Sequence, residues 1–270
     1  MEDKEKLWTK DFVLVIIINF LVFLNHLMIL STFPFFIERL GYSDTVSGAC
    51  ATAFSLVAVL ARPFVGWLLD TGRRRVLLGV GLIGMALMPM GYLLIYTALA
   101  SLALAILLRM VHGLSLACAN TSTSTMATDI LPRSRFSEGM GMFGMATALA
   151  TACAPAIGEA LMKRGFGALF GVAAGCMVLS LVLLFCLRTK PLPRVKKPLR
   201  PGDLVEPSAL PASVVVLIFL LTYGALENYI LKFAAAKPGI TVSGGLFFTV
   251  MAVLLFLSRV TIGKLADKRG

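Results

Sequence analysis

The stretch "GWLLDTGRRR", Gly66 to Arg75, returns near the end of the sequence as "GKLADKRG", Gly263 to Gly270. The agreement is also positional, because four residues of this region find the same residue 197 positions later: Arg62, Gly66, Leu68 and Asp70. Upstream of each copy lies the tripeptide "VSG", at 46–48 and again at 242–244. This self-similarity indicates that a unit of several structural elements occurs twice.

The composition is typical of a membrane protein. The chain is 58% hydrophobic and 14% charged with a mean hydropathy of +0.89, whereas soluble chains carry about 25% charged residues. Its apolar stretches reach the roughly 20 residues that a helix needs to cross a bilayer. Only helices fit, since lipid cannot satisfy open strand edges. We therefore predict an all-α polytopic membrane protein with spans at about 12–36, 46–69, 76–96, 99–127, 139–162, 166–187, 212–236 and 243–262.

Lysine and arginine are distributed unevenly between the loops. They are concentrated at the N-terminus and in the even-numbered loops, at Lys4, Lys6, Lys10, Arg73, Arg74, Arg75, Arg133 and Arg135 and within 188–200 and 264–269. This asymmetry predicts a cytoplasmic N-terminus and a multi-pass protein of the cell membrane. The net charge of +11 then reflects topology and attraction to the lipid bilayer, and it does not require a nucleic-acid partner.

A polar segment rich in proline and basic residues, 188–211, divides the chain. We predict an N-terminal six-helix transmembrane half at 1–187, a cytoplasmic linker at 188–211, and the first two helices of a second half at 212–270. Two parallel halves of this kind enclose a substrate site in transporters. If the second half matches the first, about four more helices would follow Gly270, so we expect the sequence to be truncated after its eighth helix.

Four motifs, in this order along the chain, resemble those of the major facilitator superfamily. "GWLLDTGRRRVLL" at 66–78 resembles the loop 2–3 motif, "RMVHG" at 109–113 resembles R-x-x-q-G, "LPRSRFSEGMGMFG" at 131–144 resembles loop 4–5, and "CAPAIGEA" at 153–160 resembles the antiporter motif. The later copy "GKLADKRG" also resembles the loop 2–3 motif. The chain is identified as a member of this family. The resemblance implies the family fold and, within the family, a drug:proton antiporter type.

The resemblance also implies a gate at the cytoplasmic side. Its residues would be Gly66, Asp70, Arg73 and Arg74, repeated as Gly263 and Asp267. A carboxylate at a helix end can hold the positive N-terminus of a neighbouring helix. The alternative is a plain helix cap with solvated arginines.

Arg109 and His112 are the first candidates for a substrate or proton pathway. A charge within an apolar span costs at least about 2.5–3.5 kcal/mol, so Arg109 should face a wet cavity or a partner. His112 follows one turn later on the same helix face. By resemblance, the Arg109 position takes part in proton coupling or substrate binding; the alternative is an arginine that bridges carbonyls within its own half.

Two acidic residues extend the predicted pathway. Glu227 stands beside Asn228 in an apolar helix, with Tyr223 one turn earlier, and a buried carboxylate there could bind and release a proton. The alternative is that Glu227 reaches the interface or pairs with Lys232. Glu159 has a similar but weaker claim.

The polar pair Asn25 and His26 lies in a very apolar first span. We predict that it lines the cavity, and the alternative is an interhelical hydrogen bond. Pro155 and Gly158 form the helix-bend part of the antiporter-like motif. A transmembrane helix can tolerate such a proline, because neighbouring helices can satisfy the freed backbone groups.

Several other classes of function find no support in the sequence. The five cysteines show no disulfide or metal spacing, and two histidines alone make no metal site. "GVGLIG" at 79–84 and "GMGMFG" at 139–144 match G-x-G-x-x-G but lie at the starts of membrane helices, where glycine favours close packing. We expect no cofactor, no metal, no direct use of ATP and no enzymatic activity.

The sequence therefore predicts a secondary transporter of a small molecule that works by alternating access. Proton-coupled efflux of an amphipathic compound, with the proton as coupling ion, is the first hypothesis. Proton-coupled uptake of a sugar, nucleoside or organic acid is the second. A truncated membrane protein without transport activity is the third, and for these 270 residues alone we expect no transport.

Overall fold

The structure of the chain is a computed structural model that describes residues 6–99, 101–188, 207–236, 246–247, 250–251 and 253–254. The described residues form helices connected by short turns, without strands. The helices are α1 (Lys10–Arg39), α2 (Asp44–Asp70), α3 (Arg74–Leu94), α4 (Leu102–Ile130), α5 (Phe136–Lys163), α6 (Phe166–Cys186) and α7 (Leu210–Ala236). The first six are long and apolar enough to cross a membrane, as the hydropathy pattern predicts.

Polar and glycine residues set the ends of these helices. The Thr9 hydroxyl accepts a hydrogen bond from the Phe12 amide at 3.2 Å and caps the start of α1. Ser101 caps the start of α4 in the same way. Gly72 has a φ of +80°, which closes the tight turn between α2 and α3. Such left-handed backbone is accessible to glycine at little cost.

The first six helices pack into one bundle. α1 packs against α5 and α6, α3 against α4 and α6, and α2 against α4. α1 is the most deeply enclosed element, and residues such as Phe12, Val22 and Met28 have no exposed surface. α7 packs on α1. We call the end of the bundle where α1 ends and α2 begins the loop 1–2 end.

Glycines hold the helix pairs close together. A Cβ atom built on Gly81 of α3 would lie 2.6 Å from the Ala119 amide nitrogen of α4. One built on Gly158 of α5 would lie 3.0 Å from the Met28 carbonyl oxygen of α1. Gly81 belongs to the "GVGLIG" stretch, so the structure supports the packing interpretation of that stretch.

Two regions of the predicted architecture lie mostly outside the residues that the structure describes. Most of the linker at 188–211 and most of the eighth span at 243–262 lie outside the described residues. The division into a six-helix half, a linker and the start of a second half stays a prediction.

Candidate functional site

Arg109, the eighth residue of α4, lies inside the six-helix bundle and is only 1% exposed. Its guanidinium carbon lies 3.5 Å from the centre of the Phe33 ring of α1. The rings of Phe54 in α2 and Tyr92 in α3 follow at 5.4 and 5.9 Å. Three helices thus enclose the charge with aromatic faces, and each such contact contributes about 0.5–2 kcal/mol.

The two histidines of the sequence join this aromatic enclosure. His112 is fully buried, and its Nδ1 lies 3.2 Å from the Tyr92 hydroxyl oxygen. The Phe54 ring stacks on His26 at 5.1 Å and meets His112 edge-on at 5.5 Å. The structure therefore brings together His26, Arg109 and His112, which the sequence proposes as pathway residues. We call these three residues with Phe33, Phe54 and Tyr92 the Arg109 cluster.

Four buried nitrogens of this cluster have no hydrogen-bond partner within the described part of the chain. They are Nε and Nη1 of Arg109, Nε2 of His112 and Nδ1 of His26. The expected alternative, in which Arg109 bridges backbone carbonyls of its own half, is therefore not met for these two guanidinium nitrogens. These four nitrogens are buried without a hydrogen bond, whereas buried polar groups are normally hydrogen-bonded.

No described carboxylate neutralises Arg109, and the recorded ion pairs among these residues lie elsewhere. The acidic residues whose side chains the structure describes stand within five residues of a helix end: Asp11, Glu38, Asp44, Asp70, Asp129, Glu138 and Glu159. The interior of the described bundle thus combines one permanent cation with two histidines. The same part of the chain contains no group of three or more His, Cys, Asp or Glu side chains that could hold a metal.

Asn25, next to His26, belongs to a helix contact. It is fully buried, and its side-chain nitrogen donates to the Ala173 carbonyl of α6 at 2.8 Å. This is the interhelical hydrogen bond that the sequence left open as the alternative to a cavity-lining role. The half-buried His26 lies closer to the free surface of the bundle.

A second polar contact connects α1, α4 and α5, and it was not predicted from the sequence. The buried Asn19 donates to the Thr147 hydroxyl at 3.1 Å and accepts from the Thr123 hydroxyl at 3.1 Å. Asn19 is an isolated polar residue in an apolar span, which is the one signal that could have identified it. The contact is an interhelical hydrogen-bond bridge of the kind that joins membrane helices.

Glu159, Pro155 and Gly158 lie near the end of α5. Glu159 forms an ion pair with Lys163 at 2.9 Å within the same helix, and the structure does not bring it to Arg109. α5 continues through the buried Pro155 without a break. Gly158 faces α1 at close distance, so its lack of a side chain has a packing reason.

The predicted gate residues, at the end of α2 and the start of α3, differ in their exposure and contacts. Gly66 has open space around its Cβ position, and Asp70, one turn later, is exposed. Arg73 is exposed, whereas Arg74 forms an ion pair with Asp129 at the end of α4. Asp129 is a functional candidate that sequence reasoning missed, because it resembles an ordinary polar helix end.

α7 contacts the bundle at the loop 1–2 end. The Lys232 ammonium lies 3.0 Å from a Glu38 carboxylate oxygen and also pairs with Asp44. A Cβ built on Gly48 would lie 3.1 Å from the hydroxyl oxygen of Tyr229, so α2 and α7 touch here. In contrast, residues 214–221 of α7 are 49–69% exposed within the described structure.

The remaining predicted site residues lie on or beyond α7. Tyr223 is half-buried and stacks on Phe219 with ring centres 6.0 Å apart. Glu227 and Asn228 belong to the backbone of α7, but their side chains lie outside the described part of the structure, as do Gly263 and Asp267. The suggested pairing of Glu227 with Lys232 therefore stays a hypothesis, and Lys232 has Glu38 and Asp44 as partners.

The face of α4 that points away from Arg109 is apolar where it is exposed. Leu107, Met110, Val111 and Leu114 are each exposed by more than a third. Half-buried hydroxyl residues continue the helix toward its other end, at Thr121, Ser124, Thr125 and Thr128. This free face carries no charged side chain between Leu102 and Thr128.

Known proteins share this sequence pattern and this fold. A sequence model described as the Major Facilitator Superfamily matches residues 15–270. The chain is similar to "Multidrug resistance protein MdtG" of Escherichia coli (strain K12 / DH10B), at 24% identity over 281 residues that cover 97% of this chain and 67% of the relative. The same protein of Escherichia coli O6:K15:H31 (strain 536 / UPEC) matches at the same identity and coverage.

Among solved structures, the fold is similar to a crystal structure of peptide transporter POT in complex with sulfate. The TM-score is 0.60 at 21% identity, and the match covers 84% of this chain and 49% of that chain. A structure of a mutant of peptide transporter POT in complex with alafosfalin matches with a TM-score of 0.59 at 21% identity. The chain thus spans about half the length of the solved transporter chains.

Proposed function

Because the chain belongs to the Major Facilitator Superfamily, we propose that it forms part of a secondary transporter that exports small amphipathic molecules in exchange for protons. The halves are the six helices before the linker and the unit that begins with α7. They alternate access to a site between them.

The contact of α7 carries this proposal. α7 is held to the bundle at the loop 1–2 end by Lys232, Glu38 and Asp44, while its first half is exposed within the described structure. Contact at one end and separation at the other is the geometry that alternating access requires. In this arrangement the site opens toward the predicted cytoplasmic side.

The apolar free face of α4 supports an amphipathic substrate. Leu107, Met110 and Leu114 offer apolar surface, whereas a sugar site would present several amide side chains. The name of the similar MdtG proteins, which are multidrug resistance proteins, agrees with this choice. Uptake of a sugar, nucleoside or organic acid remains the second candidate.

Arg109, His112 and His26 are proposed to serve proton coupling, together with Glu227. Gly66 and Asp70, with Gly263 and Asp267 in the second copy, are proposed to gate the cytoplasmic end. The open space at Gly66 and the exposure of Asp70 support this role, since a neighbouring helix could approach both.

The test is transport by the protein expressed from the complete natural reading frame that encodes these residues. Cells of an efflux-deficient bacterial strain are loaded with ethidium, and its fluorescence is followed over time. We expect severalfold lower accumulation than in empty-vector cells, loss of this difference with a protonophore, and loss with Asp70→Asn. Higher uptake of labelled sugars or nucleosides would favour the second candidate, and no difference for any compound would contradict transport.

A further inference from the structure

Several nitrogens of the Arg109 cluster lack a hydrogen-bond partner, although the Tyr92 hydroxyl interacts with both Arg109 and His112. Nε and Nη1 of Arg109, Nε2 of His112 and Nδ1 of His26 are buried without a partner in the described structure. All three side chains lie around one ring, since Phe54 is 5.4 Å from the Arg109 guanidinium carbon, 5.5 Å from His112 and 5.1 Å from His26. Buried polar groups are nearly always hydrogen-bonded, so a partner has to be found for this site.

The missing partner should carry negative charge. The guanidinium group is always protonated, and a buried charge is costly unless it is paired. The Phe33 face attracts the cation, but it offers no lone pair to the N–H groups. Among the acidic side chains that the structure describes, none forms a recorded ion pair with Arg109.

The hydrogen-bond pattern of His112 favours an acceptor as well. When the Tyr92 hydroxyl donates to Nδ1 of His112, the ring is in the tautomer that carries its proton on Nε2. Nε2–H is then a second buried donor beside Arg109, one turn away on the same helix. Neutral donors next to a single cation suit a ligand with one negative charge, because a divalent anion would keep an unpaired charge in an apolar place.

We propose that the Arg109 cluster binds a small monovalent anion, with N–H groups of Arg109 and Nε2–H of His112 as donors. The shared chemistry is one negative charge with accessible lone pairs. A free ion such as chloride or nitrate and the carboxylate of a small organic molecule are its two sources. Anion binding at this site is a property separate from the proposed transport, and it can be measured whether or not the protein transports a substrate.

The experiment uses the full chain in detergent micelles, with thermal unfolding followed by the fluorescence of its two tryptophans. Gluconate is replaced by chloride, nitrate, acetate or benzoate at constant ionic strength. Above the Kd, the Tm should rise on the order of 3 °C for each tenfold increase in anion concentration. Stabilisation by chloride and nitrate identifies a free ion, whereas stabilisation by acetate and benzoate alone identifies an organic carboxylate.

Two variants test the donors. Arg109→Gln removes the charge and should abolish the anion response, while the exposed Arg39→Gln should keep it. His112→Phe keeps an aromatic ring without a donor and should weaken anion binding about tenfold. This variant tests the site if Arg109→Gln does not fold.

Three outcomes overturn the proposal. The first is a Tm of the unmodified chain that does not depend on the anion. The second is an anion response that survives unchanged in the folded variant of Arg109 or His112. The third is a response that appears only in Glu227→Gln, because the Glu227 carboxylate would then fill the place in the native protein.

Discussion

Gly113 lies where α4 crosses α2, and a Cβ atom added there would collide with the carbonyl oxygen of Phe54. Gly113 closes the "RMVHG" motif, so its lack of a side chain brings the Phe54 ring close to both Arg109 and His112. The colliding atom belongs to the backbone of α2, which cannot move aside as a flexible side chain could.

We expect Gly113→Ala to destabilise the bundle by about 1–3 kcal/mol, because the two helices must separate to admit the methyl group. The measurement is the Tm of the purified chain in detergent. Gly175→Ala is the matched control, since nothing lies within 4 Å of the Cβ position of Gly175 in α6. Alanine there should leave the stability unchanged or raise it slightly. Equal Tm values for the two variants would contradict close α2–α4 packing at Gly113.

The sequence could predict only part of the Arg109 cluster. The spacing of Arg109 and His112 predicts a shared helix face, and both residues lie in the same enclosure. Phe33, Phe54 and Tyr92 could not be identified, because they come from three other helices whose apolar residues look alike. The ion pair of Arg74 with Asp129 could not be predicted either, because no local sequence pattern connects the start of α3 with the end of α4.

Whole helices were easier to predict than contacts. The span predicted at 46–69 is α2 (Asp44–Asp70), and the span at 212–236 is α7 (Leu210–Ala236). Long apolar runs between short polar turns define such elements locally, so the energetics of the bilayer fix them. How α7 meets the bundle depends instead on three charged side chains from different elements.

We predict that Lys232 controls the separation of α7 from α2. Its partners Glu38 and Asp44 are 61% and 62% exposed, so each pair contributes only about 0.2–1 kcal/mol. Lys232→Gln removes both pairs, together up to about 2 kcal/mol, and should therefore raise the population of a separated state by up to about thirtyfold. Spin labels at Thr45→Cys and Phe233→Cys, in a cysteine-free background, report this as a longer distance component.

Lys163→Gln provides the control for that experiment, because the Lys163–Glu159 pair lies within a single helix. It should leave the distance distribution unchanged. The reversed arrangement, Lys232→Glu with Glu38→Lys and Asp44→Lys, should restore the short distance. A distribution that does not respond to Lys232→Gln would show that apolar contacts alone hold α7.

The uneven distribution of lysine and arginine predicts the orientation of the protein in the membrane. Ser43, between α1 and α2, and Ser134, between α4 and α5, are both exposed at turns. Because three membrane-crossing helices separate these turns, they are predicted to lie on opposite sides of the membrane. In a cysteine-free background, Ser43→Cys should react with an impermeant maleimide in intact cells. Ser134→Cys should react only after permeabilisation, and the reverse pattern would overturn the predicted orientation.

The hydrogen bond between Asp11 and the backbone amide of Arg188, at 2.9 Å, joins the start of α1 to the second residue after α6. Arg75, at the start of α3, donates to the Leu187 and Phe185 carbonyls and strengthens the same junction. The start of α1 and the end of α6 therefore lie side by side, and a short peptide could link 188 back to the residues before Thr9, the cap of α1. We therefore expect the bundle to tolerate circular permutation, because new ends placed in another turn on the same side of the membrane would change the order of the helices and preserve their contacts.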